Sequence, residues 1–287
     1  SLVILDDAAS TGGVTIQNTL AGTVRTVDNQ SDGSATISAA AATGAVTFTG
    51  VGGNETFTGG AFNDTFTLGE GNNTAFTGAG NNTVTTGSGT DRVFAQGGVD
   101  TVGTGAGNDS IVDSTTGRLL LTAGEGSDSY IAVNPGEFNA RANTPGNSFD
   151  NLNMGAGFDV LFIAAGAVDA QFAQVTSAEG VALVTAGTTT LGGGAGGLAQ
   201  AAGINSIYLG SGSAGDDVVD ASTFTTGLSV TASGSDSAAT GVALSTQAGR
   251  IARFGAIDSS GGGNDTVTTG SAVDYFLFRG DNALTED

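Results

Sequence analysis

The sequence predicts an all-β protein, a parallel β-roll or β-solenoid with irregular β caps and loops, on three observations. Acids and their amide substitutes recur every nine residues without a slip, at Glu55, Asp64, Asn73, Asn82, Asp91, Asp100 and Asp109. Two residues after each stands an apolar one: Phe57, Phe66, Ala75, Val84, Val93, Val102 and Ile111. Glycine-rich runs come before them, as in Gly59-Gly60-Ala61-Phe62-Asn63-Asp64 and Gly105-Ala106-Gly107-Asn108-Asp109. A short fixed period means stacked coils, since one repeat can bury its apolar face only against its neighbours.

The spacing also suggests chemistry. Glycine tolerates positive φ, so the chain can turn tightly and aim carbonyls inward. Carboxylate and carbonyl oxygens are the ligands Ca2+ prefers, about six to eight per ion. Two nonapeptides make one coil, so positions on one edge recur every 18 residues. One edge then carries Glu55, Asn73, Asp91 and Asp109, and the other Asp64, Asn82 and Asp100. Neighbouring coils lie roughly 4.8 Å apart, close enough for Asp91 and Asp109 to share an ion.

At these residues the chain resembles the RTX family, the glycine- and aspartate-rich nonapeptide repeats of bacterial exported proteins. The clear likeness spans about 60 residues, and scattered further copies bring it to roughly a third of the chain. The resemblance implies a parallel β-roll, Ca2+ between coils, type I export and folding outside the cell. Asn73 and Asn82 depart from the pattern, an amide standing where the family has a carboxylate. Stacked amide ladders are expected there, with Ca2+ placed at Asp91, Asp100 and Asp109 instead.

In chain order, residues 1–49 read as an N-terminal β cap or irregular coils, with strands at Val14–Ile16, Val24–Val27, Thr36–Ile37 and Val46–Phe48. Residues 50–133 form the RTX-like roll. Its phase slips after Ile111: Arg118 takes the place of an acid, and Gly124-Glu125-Gly126-Ser127-Asp128 resumes one residue late, leaving Asp128 able to partner Asp109. Residues 134–203 form an irregular β segment with loops. Its first part, Asn134 to Asn151, holds both prolines and leaves the solenoid; its last, Thr185 to Gly203, is low in complexity and read as loop. Between them, Asn153-Met154-Gly155-Ala156-Gly157-Phe158-Asp159-Val160-Leu161 restores the motif and leads through Phe172 and Val175 to Val181-Ala182-Leu183. That arrangement resembles the coils of calcium-dependent bacterial S-layer proteins. Residues 204–287 form a C-terminal β segment with RTX-like repeats at Asp217, Asp265 and Asp274, and with strands at Leu228–Val230, Val242–Leu244 and Ile251–Ile257. Almost no long helix is expected.

Composition excludes much. Net charge is -21, from 28 acids against 7 basic residues, all arginine. Such a polyanion repels phosphate, which excludes nucleic acid as a partner, and it repels itself unless cations intervene. The chain lacks His, Cys, Lys and Trp, so Ser-His-Asp and Cys-His catalysis, thiolate zinc sites and a Walker lysine are absent. Paired carboxylates can cut glycosides, but a nonapeptide ladder of acids reads as structural, and no enzyme is expected. No apolar run approaches the ~18 residues of a membrane helix. No N-terminal signal peptide is visible, so a processed chain, an excerpt and a C-terminal export address all stay open.

Ten acids in repeat-like settings are the candidate Ca2+ ligands: Glu55, Asp64, Asp91, Asp100, Asp109, Asp128, Asp159, Asp217, Asp265 and Asp274. Asp6, Asp7, Glu286 and Asp287 read as solvated surface. The expected function is an extracellular structural protein of a bacterial surface, as a layer, filament or adhesin subunit. Its partners would be copies of itself in a polymer or lattice, with a cell-surface glycan as a further partner. One alternative is a non-catalytic secretion and folding module of an exported enzyme or toxin. A lesser one is a glycan- or ice-binding solenoid, suggested by the aligned pairs Thr65/Thr67 and Thr83/Thr85, although Thr101/Gly103 interrupts that rank.

Overall fold

Each Thr-Phe-Thr or Thr-Val-Thr triplet makes a short strand because β-branched and aromatic residues suit a half-buried pleat. Alternation turns the central residue inward and the threonines outward. Thr65–Thr67 and Thr83–Thr85 follow this pattern, with Phe66 and Val84 buried and all four threonines exposed.

The computed structural model describes residues 2–4, 14–16, 26–30, 33–114, 117–133, 138, 150–185, 187–191 and 197–209, with strand backbone at 217–221, 229–232, 242–246, 253–258, 266–268 and 278–279. The chain divides into two units, the first made of Ser1–Val133 with Asp150–Asp159 and the second of Asn134–Phe149 with Val160–Asp287.

In the first unit the odd-numbered strands form one parallel sheet: β1 (Leu2–Ile4), β3 (Thr26–Asn29), β5 (Thr47–Thr49), β7 (Thr65–Thr67), β9 (Thr83–Thr85), β11 (Asp100–Ala106), β13 (Leu119–Glu125) and β15 (Asn151–Ala156). The even-numbered strands form the other: β2 (Val14–Ile16), β4 (Ala35–Ser38), β6 (Thr56–Thr58), β8 (Thr74–Phe76), β10 (Arg92–Ala95), β12 (Ser110–Asp113) and β14 (Ser129–Ala132). This is the all-β parallel solenoid expected from the period. The described strands before residue 50 already belong to it: Leu2 lies opposite Val27, Val27 opposite Phe48, and Phe48 opposite Phe66. These first coils are longer, and the 18-residue step sets in where Val46 meets Asp64.

Between the sheets run two facing columns of buried side chains. Val27, Phe48, Phe66, Val84, Val102, Leu121 and Leu152 come from one sheet, and Ile37, Phe57, Ala75, Val93, Ile111 and Tyr130 from the other. Phe48 stacks on Phe57 and on Phe66, each with ring centroids 5.0 Å apart. Outside, Phe76 stacks on Phe94 at 4.5 Å, and Arg92 lies over the Phe94 ring. The threonine rank is longer than the sequence reading had it, since the exposed Thr47 and the half-buried Thr49 extend it in register with Thr65 and Thr67.

The second unit repeats the parallel pairing. Strands β16 (Val160–Ile163), β18 (Gly180–Leu183), β20 (Ser206–Leu209), β22 (Ser229–Ala232), β24 (Arg253–Asp258) and β26 (Phe278–Arg279) pair in series, and so do β19 (Gly187–Thr190), β21 (Asp217–Ala221), β23 (Val242–Thr246) and β25 (Thr266–Thr268). A short strand β17 (Val175–Thr176) follows a 3-10 helix at Asp169–Gln174. Thr185 to Gly203 is therefore not simply loop. The β-branched Thr188–Thr190 pairs with Val218–Asp220, and Leu198–Ala201 forms one helical turn. Helix among the described residues is otherwise confined to position 138 and that 3-10 turn, and none is long and apolar enough to cross a membrane.

Glycine is required where coils touch. At Gly107, with φ +132°, a Cβ would overlap the Gly89 carbonyl of the coil before, whereas at Gly103 the nearest atom would be 3.9 Å away. Gly107→Ala should destabilise the roll by about 1–3 kcal/mol, and Gly103→Ala should change it by no more than about 0.5 kcal/mol. Denaturant midpoints of the two variants check this; equal midpoints would contradict the contact.

Candidate functional site

The acids of the nonapeptides point inward at the two edges where strands give way to turns. Each passes one oxygen to the preceding coil. Val46 N–H donates to Asp64 Oδ1 at 2.7 Å, Glu55 N–H to Asn73 Oδ1 at 2.9 Å, and Asp64 N–H to Asn82 Oδ1 at 2.7 Å. Asn73, Asn82 and Asp91 N–H donate in the same way to Asp91, Asp100 and Asp109, at 2.7, 2.8 and 2.8 Å. The row continues over the phase slip, Asp109 N–H reaching Asp128 Oδ1 at 2.8 Å, and from Asp128 N–H to Asp159 Oδ1 at 2.6 Å. Edge N–H groups buried with no water would be costly unpaired, and the side chain at each ninth residue satisfies them.

A second ladder runs outside the first in the opposite direction. Asn54 Oδ1 accepts from Asn72 N–H, Asn63 from Asn81, Asn72 from Thr90 and Asn81 from Val99, each at 2.8 Å. Amide ladders were expected at Asn73 and Asn82. Those two lie on opposite edges and cannot stack; the ladders belong to the asparagines one residue earlier.

One edge gathers Glu55, Asn73, Asp91, Asp109, Asp128 and Asp159, and the other Asp64, Asn82 and Asp100. Asp217 opens strand β21 in the second unit, while Asp265 and Asp274 lie outside the described residues. Asp150 is a member that the sequence reading missed. Its Oδ1 accepts from Leu119 N–H at 2.7 Å, and its Oδ2 lies 3.3 Å from the Tyr130 hydroxyl, which is also 3.0 Å from Asp113 Oδ2. A signal was there to find: Asp150 stands nine residues before Asp159 and two before Leu152. Asp169, in the second unit, is buried and accepts from Ala199 N–H at 2.9 Å; it stands outside any repeat and gives no such signal.

The second oxygens differ between edges. Glu55 Oε2, Asp91 Oδ2, Asp109 Oδ2 and Asp128 Oδ2 are buried and meet no hydrogen-bond donor. The Thr86 hydroxyl and the Asn73 amide lie close enough to Asp91, and the Thr104 hydroxyl to Asp109, to hold those carboxyls down against burial, but the two hydroxyls make their hydrogen bonds to the carbonyls of Thr104 and Ala123. On the other edge Asp64 Oδ2 accepts from Gly60 N–H at 2.7 Å, and Asp100 Oδ2 from the Thr77 hydroxyl at 3.0 Å.

Burial dominates the electrostatics. It pushes Glu55 up to about 7, against the lowering effect of the Asn29 amide. It pushes Asp128 up to about 6, the Asp109 N–H lowering and the Asp109 and Asp159 charges raising it further. Asp64, Asp91, Asp100 and Asp109 are also raised, first by burial.

Among the described residues no three acidic side chains converge on one point. A cation here must therefore draw on backbone carbonyls as well as one carboxylate per coil, and the donor set allows it. Asn73 Nδ2 lies 3.2 Å from both Gly69 O and Gly71 O. Asp91 occupies the same register position one coil on, and Asp109 and Asp128 follow it, so their second oxygens take the place of that nitrogen. Oxygen facing carbonyl oxygen is a hard-cation environment, and Ca2+ fits it. Asp91, Asp109, Asp128 and Asp159, with the glycine carbonyls of their turns, are the residues that would hold it.

Residues 49–84 and 76–111 match the family model of the RTX calcium-binding nonapeptide repeat (4 copies). The segment 49–111 thus consists of RTX calcium-binding repeats, here folded as a β-solenoid. No curated protein and no solved structure matches the chain.

Free carboxyls start from ordinary values of 4.5 for Glu55 and 3.8 for Asp128, while the folded groups titrate near 7 and 6. The cation-free fold therefore binds more protons than the unfolded chain in that window. Its stability should be fully present below about pH 4 and decline as pH rises through 7. In chelator, the denaturant midpoint is expected to be higher at pH 5 than at pH 7.5; a midpoint that climbs with pH contradicts the burial argument.

Proposed function

We propose that this chain is an exported, calcium-stiffened structural protein of a bacterial cell surface, a layer, filament or adhesin subunit that associates with further copies of itself. The observation that carries the reading is the row of buried carboxylate oxygens without donors, running along one edge of an RTX-type solenoid. A net charge of -21 opposes packing these coils. Bound Ca2+ supplies the missing positive charge between coils. The residues do the rest: Oδ1 of each acid fixes the next turn, and the glycines keep the coils close.

Export belongs to the same reading. Ca2+ at about 10⁻⁴–10⁻³ M, the range of extracellular modules, would hold the roll folded, and low cytosolic Ca2+ would leave it loose. The absence of His, Cys, Lys and Trp supports a structural rather than a catalytic role. Among the described residues the terminal strands β1 and β2 each pair on one side, and such edges recruit further strands unless covered, which suits a subunit of an assembly.

Circular dichroism during a Ca2+ titration, followed by electron microscopy with and without Ca2+, tests the reading. Calcium-dependent gain of β-structure and ordered sheets or filaments are expected. Equal β-structure in chelator defeats the coupling to Ca2+. A chain that folds with Ca2+ yet stays monodisperse at all protein concentrations defeats the assembly role and favours the folding module of a larger exported protein.

A further inference from the structure

The two edges of the first unit are built from the same nonapeptide, yet they are not chemically equivalent. On the edge of Asp91, Asp109 and Asp128, each acid follows a Gly-x-Gly pair: Gly87 and Gly89, Gly105 and Gly107, Gly124 and Gly126. On the opposite edge the pair is broken before both acids, by Phe62 ahead of Asp64 and by Gln96 ahead of Asp100. Second oxygens follow the same division. Asp91, Asp109 and Asp128 are at least 98% buried, and each leaves one oxygen with no donor. Gly60 N–H and the Thr77 hydroxyl take that role for Asp64 and Asp100.

Asparagine marks where the first row stops. The Oδ1 of Asn73 takes the Glu55 N–H as an aspartate would, and its Nδ2 donates to Gly69 O and Gly71 O. An amide N–H thus does at this coil what positive charge must do at the next ones. On the other edge Asn82 Nδ2 similarly turns to Gly80 O at 3.3 Å and to Asp100 Oδ1 at 3.1 Å, giving Asp100 a further donor.

We infer that divalent cations bind along the Asp91–Asp109–Asp128 edge only, that the Asp64–Asn82–Asp100 edge is closed by the protein's own donors, and that Asn73 is a built-in amide substitute that ends the cation row. This inference rests on the calcium-binding reading above and adds to it where the ions go. One seam of the roll is then held by hydrogen bonds whatever the Ca2+ level, while the other is zipped by ions.

Native mass spectrometry and calorimetric titration of the full chain with Ca2+ test this on three variants, with circular dichroism in saturating Ca2+ to show that each folds. Asp109→Asn is expected to lose at least one bound Ca2+ relative to the parent chain. Asp100→Asn is expected to keep the parent stoichiometry. Asn73→Asp should gain one Ca2+, because it turns the two glycine carbonyls and the new carboxylate into a further site. Folded Asp100→Asn losing Ca2+ as Asp109→Asn does, or folded Asn73→Asp gaining none, overturns the assignment of edges while leaving calcium binding intact. A parent chain that takes up no Ca2+ overturns both.

Discussion

A buried carboxylate that gives one oxygen to the backbone must still do something with the other, and the architecture of this chain turns on that constraint. Every ninth residue satisfies an N–H of the neighbouring coil, as Asp109 does for Asp91 and Asp128 for Asp109. The bond closes the edge of the solenoid, where the sheet ladder ends and the turn begins. It also brings a negative charge where water cannot follow. In a low-dielectric setting that charge must be matched by a proton, by a donor or by a cation.

The chain uses donors on one side and leaves oxygens bare on the other. Donors come from a backbone N–H that a turn bends inward, as at Gly60, or from a threonine hydroxyl that reaches the carboxylate, as at Thr77, whereas Thr86 and Thr104 on the other edge donate to carbonyls. At Asn73 the turn brings the Gly69 and Gly71 carbonyls to the side chain, and the turns before Asp91, Asp109 and Asp128 repeat that Gly-x-Gly pair. Proton and cation compete for the resulting site, which is why the same burial that raises Glu55 and Asp128 also prepares an ion-binding edge.

Small residues make this arrangement necessary. With glycine at the turns and threonine on the outer faces of the short strands, the interior is a narrow double column of strand-centre side chains, supplemented by a few others such as Leu68 and Ala95. The three phenylalanines Phe48, Phe57 and Phe66 fill its early coils, but from Ala75 to Val102 it is thin. Apolar burial there contributes less per coil, and the edges carry a larger share of the cohesion.

The period of nine was enough to determine the strands, the inward column from Phe57 to Ile111 and the division of acids between two edges, because side-chain direction in a strand alternates and a coil repeats every second nonapeptide. Departures from the period were harder. Asp128 was traceable across a one-residue slip, whereas Asp150 was missed because the sequence pattern fails from Asn134, which broke the count before it. Thr188–Thr190 read as part of a loop because its partner strand lies far ahead in the chain. The tertiary structure alone decided which oxygens are left without a donor, and that the amide ladder falls on Asn54 and Asn72 rather than on Asn73. The reason is physical: spacing along the chain says which residues share an edge, but the fate of each lone pair depends on groups from adjacent coils that only folding brings within reach.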